Sequence, residues 1–170
     1  MQITKRNLAS FRKNARLKRI EDNLMETSDG TLLAPPERVS AALLAIRIAS
    51  ALAFLFHGSA ILFGAFGGPG PVKFASFIHA PVVIGYLVGL AQFCGGLAML
   101  TGVFTRIGSL ALIVVMLGAI FLVHLPHGFD IGHGGLEYAL TQLLIAVAVL
   151  LAGSGKYSLA PRLPPGLRRL

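Results

Sequence analysis

Charge is what this sequence has least of. Only 15 Lys/Arg and 7 Asp/Glu occur among 170 residues, 13% in all, where soluble domains carry about a quarter. Cysteine is nearly absent too: the single Cys94 excludes an intrachain disulfide and a C-x-x-C redox pair, so no redox compartment follows from it. There is no G-K-[ST] phosphate loop, no G-x-S-x-G nucleophile elbow and no helix of paired carboxylates, so no soluble-type catalytic centre is visible. What remains is apolar. The chain is 55% hydrophobic with a mean hydropathy of +0.75, a membrane composition, and its length suits one compact bundle.

The few charges sit at the ends. Residues 1–38 hold eight basic residues (Lys5, Arg6, Arg12, Lys13, Arg16, Lys18, Arg19 and Arg38) and no short apolar stretch that would make a signal peptide. Residues 4–26 read as helix, with Leu8 and Phe11 roughly opposite Leu17, Ile20 and Leu24 at 100° per residue. Such a segment suits lipid headgroups or a partner subunit. Pro35 and Pro36 then break the pattern. Four apolar runs follow near 41–64, 80–103, 106–125 and 136–153, each long enough to cross about 30 Å of hydrocarbon. The expected fold is therefore all-α, a four-transmembrane-helix bundle over 41–155. A basic N-terminal extension (1–40) precedes it and a basic tail (156–170) follows it.

Charge placement orients this bundle. With a cytoplasmic N-terminus, thirteen of the fifteen basic residues fall inside: the eight above, Arg106, Lys156, Arg162, Arg168 and Arg169. Lys73 alone falls outside, and Arg47 lies within the first span. The positive-inside rule thus puts both termini in the cytoplasm, and basic clustering of this kind points to a membrane surface, not to nucleic acid.

In that orientation His57, His79, His124, His127 and His133 gather on the outer side with Asp130 and Glu137. Imidazole beside carboxylate suits metal binding, proton transfer or donation to a quinone oxygen. No metal site is expected, because H-x-x-H at 124 and 127 straddles Pro126 and lacks fixed helical geometry. His57 and Glu137 lie inside or at the lip of a span, where ionisable groups are costly and functional by default. On the first helix Arg47, Ser50, Phe54, His57 and Ile61 form one stripe, and on the second Gly85, Gly89, Gln92 and Gly96 do. The glycines mark a helix-facing side and make Gln92 interior. On the fourth helix Glu137, Thr141, Leu144 and Ala148 align, with Tyr138 and Gln142 beside them. Arg47, Gln92 and Glu137 are candidates for an internal polar line. Arg47 either snorkels to the cytoplasmic surface or pairs inside the bundle with Gln92 or a neighbouring carbonyl. "FGAFGGPGPVKF" (63–74) reads as a tight re-entrant or lid-like connection.

Five segments together resemble the DoxX family: "LAFLFHGSAILFGAFGG" (52–68), "GLAQFCGGLAMLTGVFTRIGSLAL" (89–112), "MLGAIFLVHLPHGF" (116–129), "GGLEYAL" (134–140) and "GSGKYSL" (153–159). The resemblance implies a bacterial or archaeal four-helix membrane protein, here of the bacterial inner membrane. It also implies a quinone-linked redox or accessory role, since members resemble the membrane part of thiosulfate:quinone oxidoreductase or associate with membrane oxidoreductases. Arg47, His57, Gly58, Gly95, Gly96, Thr105, Arg106, His124, Gly128, Phe129, Glu137 and Tyr138 match the pattern; Ile61 stands where the family carries lysine, and Gln92 where it carries glutamate. Gln92 can hydrogen-bond but cannot carry a proton.

Three functional expectations follow. The first is an accessory subunit of a larger redox complex, binding lipid and partner subunits with the N-terminal extension as docking segment. The second is a quinone-linked oxidoreductase subunit, with His57, His124 and Glu137 as catalytic candidates and Arg47, His57, Gln92 and Tyr138 as a quinone or lipid pocket. The third is a small-solute or metal conduit.

Overall fold

The computed structural model describes residues 14–21, 36–164 and 166, and every regular element among them is a helix, with no strand. It forms two units, Met1–Val39 and Ser40–Leu170. In the first, residues 14–21 make a helix, α1, with Leu17 and Ile20 exposed; Leu8, Phe11 and Leu24 lie outside the described residues.

Helix α2 spans Pro36–Phe63. Pro36 opens the helix where the sequence suggested only a break, because a first-turn proline gives up an amide that has no intrahelical partner anyway; Glu37 in the first turn complements the helix dipole. A short helix α3, Gly70–Phe77, fills the glycine-rich connection. Helix α4 is Val82–Thr101, α5 is Thr105–Ala119 and α6 is Glu137–Ala152. A π-helical turn, Ile120–His124, and a 3-10 turn, Leu125–His127, prolong α5. Pro126 lacks the amide that a regular helix would point at the Leu122 carbonyl, so the ladder is remade around it. The stretches Glu37–Phe63, Val82–Thr101 and Thr105–His127 are long and apolar enough to cross a membrane, and α6 is a shorter apolar helix.

The helices close by glycine contacts. A Cβ on Gly58 would lie 2.5 Å from the Phe93 amide nitrogen, one on Gly89 3.2 Å from Leu62, and one on Gly96 3.0 Å from Leu55. All three join α2 to α4 backbone to backbone, as dispersion-driven packing in lipid demands. Gly85, the first member of the same stripe, is covered by Pro71 of α3 instead. Gly95 and Gly108 join α4 to α5, against Leu112 and Ala98. The core inside this ring is Ala51, Phe54, Met99, Leu112, Met116, Ile120, Ala139, Ala146 and Val149.

Candidate functional site

The polar groups of the bundle fall into two places separated along α2. Ten residues part Arg47 from His57, about 15 Å of helical rise.

Arg47 is fully buried. Its Nε donates to the Met99 carbonyl at 2.8 Å, Nη2 to Leu100 at 3.2 Å, and Nη1 to Ser154 at 2.6 Å and Tyr157 at 2.9 Å. Met99 and Leu100 lie in the last turn of α4, whose carbonyls have no intrahelical donor. Ser154 and Tyr157 follow the end of α6. One guanidinium therefore caps the carboxyl end of α4, where the helix dipole is negative, and holds the segment after α6 against it. The backbone is shaped for it: Gly102 ends α4 at φ 73, and a Cβ there would lie 2.6 Å from Nη2. Leu159 N–H to Thr101 O, 2.9 Å, ties the segment after α6 across the α4–α5 turn. Of the two readings open for Arg47, the carbonyl pairing is the one observed, and Gln92 is not among its acceptors.

One turn further along α2, Ser50 Oγ donates to Gln142 Oε1 at 2.9 Å, both buried, joining α2 to α6. Tyr138 lies one turn before Gln142 on α6. Gln92 is buried on α4 at the level of Gly58. The hydroxyls of Thr105 and Ser109 are buried without a partner among the described residues.

His57 leaves the interior stripe. Arg47, Ser50, Phe54 and Ile61 are buried, whereas His57 is exposed and Gly58 takes the inward place. Position 57 lies 60° to one side of Phe54, and position 58 only 40° to the other, at 100° per residue. His57 then faces α6: its ring lies 6.3 Å from that of Tyr138 and makes an edge contact with Phe56 at 5.4 Å. Phe56 stacks on Phe66 at 5.0 Å, and Phe66 is held at φ 57 while largely exposed. A bulky residue in that region is strained, which makes this aromatic shelf a built feature.

Glu137 and His124 make their hydrogen bonds within the connection that joins α5 to α6. Glu137, Thr141, Leu144 and Ala148 form the exposed side of α6, while Ala139, Gln142, Ala146 and Val149 face inward. The Glu137 carboxylate turns back to accept from the Ile131 amide at 3.3 Å. His124 Nδ1 lies 2.7 Å from the Gly134 carbonyl and His127 Nδ1 2.8 Å from that of Val123. A carbonyl only accepts, so both rings carry their proton on Nδ1. His133 Nδ1 meets Asp130 Oδ2 at 2.8 Å, and Asp130 Oδ1 accepts from Gly132. The connection thus pairs its polar groups largely with itself, and no three His, Cys, Asp or Glu among the described residues are placed to hold a metal. The Ser50–Gln142 pair was not legible, because it needs the phase of two helices; a carbonyl partner for Arg47 was one of the open readings, but which carbonyls it meets needs a backbone trace.

The DoxX family model matches residues 42–125, which include Arg47, His57, Gln92 and His124. That stretch is DoxX sequence. Glu137 and Tyr138 lie beyond the matched stretch. A Bacillus subtilis (strain 168) protein named "Putative oxidoreductase CatD" is 28% identical over 118 residues, 69% of this chain and 84% of that protein. No solved structure matches. The DoxX match and the apolar helices make the chain a multi-pass membrane protein.

Proposed function

We propose that this chain is the membrane-embedded accessory subunit of a redox assembly in the bacterial inner membrane, with both termini cytoplasmic and the basic N-terminal extension docking partner subunits. The observation that carries this is the Arg47 cradle. The most costly polar group in the bundle is committed to tying α2, α4 and the segment after α6 together, which is scaffold chemistry. A single cysteine gives the chain no dithiol couple of its own, so the oxidoreductase name of its relative fits an assembly in which a partner carries the electrons. Reconstitution tests it: the chain alone in liposomes is expected to leave a short-chain quinone unreduced by a soluble dithiol, and turnover by the chain alone would overturn it.

A second reading rests on His57 and Tyr138. Their rings face each other at the edge of the bundle beside the Phe56–Phe66 shelf, and a quinone headgroup needs such a flat apolar wall with N–H or O–H donors for its oxygens. These residues fit that group, and a bound quinone would supply the electron acceptor. His57→Ala and Tyr138→Phe are then expected each to weaken binding of a short-chain quinone analogue about tenfold in the full chain. Unchanged binding in both, with helical content preserved, would reject it.

A further inference from the structure

Two glutamines are buried among the described residues, and they are treated differently. Gln142 accepts from Ser50 at 2.9 Å. Gln92 is 6% exposed, and its side-chain amide hydrogen-bonds to no described residue. A buried amide left unpaired is costly, so this one calls for a partner. Helical phase gives its direction. On α4, Gly89 and Gly96 meet α2 while Gly95 meets α5. At 100° per residue Gln92 lies between those directions, toward the bundle axis, on the same side as the fully buried Met99. Its depth follows from the close approach at Gly58, where an added Cβ would lie 3.0 Å from the Gln92 carbonyl carbon. Gly58 follows His57, whose ring lies 6.3 Å from that of Tyr138. His57 of α2, Tyr138 of α6 and Gln92 of α4 therefore share one depth, the first two at the α2–α6 seam and the third behind it.

We propose that Gln92 is the inner binding residue of the site at His57 and Tyr138, its Nε2 donating to the ligand oxygen that points into the bundle. The inference rests on the quinone reading of that pair. A flat ring with carbonyls at opposite ends presents one to the seam and one to the interior, so Gln92 selects a two-carbonyl ring over a ring with a single oxygen. An amide suits the inner place, because it donates without carrying a charge that the membrane interior would make expensive.

Calorimetric titration of the full chain in detergent with menadione, which has two ring carbonyls, and with tetralone, which has one, separates this role from packing. The wild type is expected to bind menadione about tenfold more tightly than tetralone, the effect of one buried hydrogen bond. Gln92→Leu, apolar and of similar size, should bring the two affinities together by weakening menadione. Should Gln92→Leu fail to fold, Gln92→Asn keeps an amide but withdraws it by one methylene, and it should narrow the preference as well. Equal affinities in the wild type, or a preference that survives substitution, would overturn the inference; the latter is the result if water satisfies the amide or if Gln92 only packs. His57→Ala and Tyr138→Phe keep the two ideas apart. If either weakens menadione while Gln92→Leu preserves the preference, the role of Gln92 alone is rejected. Unchanged binding in both rejects the quinone reading and this inference with it.

Discussion

Replacing Arg47 by methionine keeps an unbranched apolar stem and removes every donor from the cradle. The Met99 carbonyl is fully buried and loses a charge-assisted bond worth about 2 kcal/mol; the Leu100, Ser154 and Tyr157 carbonyls are partly buried and lose about 1 kcal/mol each. The sum, about 5 kcal/mol, equals the whole stability of a weakly stable domain. Arg47→Lys offers a compact ammonium that cannot span four acceptors on two chain segments, and should recover about half. Unfolding in mixed detergent–dodecylsulfate micelles, followed by helical circular dichroism, measures both. Limited proteolysis supplies the local readout, because loss of the cradle should expose 153–160 to cleavage before the helices unfold. If Arg47→Lys falls within about 0.5 kcal/mol of the wild type, or Arg47→Met leaves 153–160 protected, the cradle does not hold the bundle as described.

Four further outcomes follow from the packing. Gly58→Ala puts a methyl 2.5 Å from the Phe93 amide nitrogen, so α2 and α4 must part at about 3 kcal/mol by the same unfolding assay; a neutral variant would contradict the close approach. Gly102→Ala needs φ near 73 and intrudes on Arg47, and is expected to cost at least about 1 kcal/mol; its effect should shrink in the Arg47→Met background, and full additivity would disconnect the two. Ser50→Ala and Gln142→Leu, combined in a double-mutant cycle, should couple by about 0.6–1.7 kcal/mol, the range for hydrogen bonds between membrane helices; zero coupling would deny the bond. Ser109→Ala removes a buried hydroxyl without a described partner and should be neutral or stabilise by up to about 1 kcal/mol, whereas a loss above that would reveal a hidden partner.

The bundle was legible because apolar length is a property of the chain alone. So was the glycine face of α4, since steps of three and four residues fix one side of a helix whatever it packs against. The candidate site was legible only in pieces. The Arg47–Ser50–Phe54–Ile61 stripe held because these spacings stay in phase, and the same arithmetic displaced His57 to the flank. Glu137 failed for a different reason: all around α6 the residues are apolar apart from a few, so the pattern offers no phase, and the true inner side runs through Gln142. The helix in the connection at 70–77 was obscured by its glycines and prolines, which here serve the turns and the first turn of α3. Backbone acceptors cannot be read from side-chain identities at all, which is why the partners of Arg47 stayed open.

Native mass spectrometry of the tagged full chain, purified gently from its own membranes, bears most directly on the proposed role. The expected result is a heteromeric mass in which a stoichiometric partner carries a redox cofactor, with the association lost when residues 1–35 are removed. A homomer that reduces quinone unaided would contradict it.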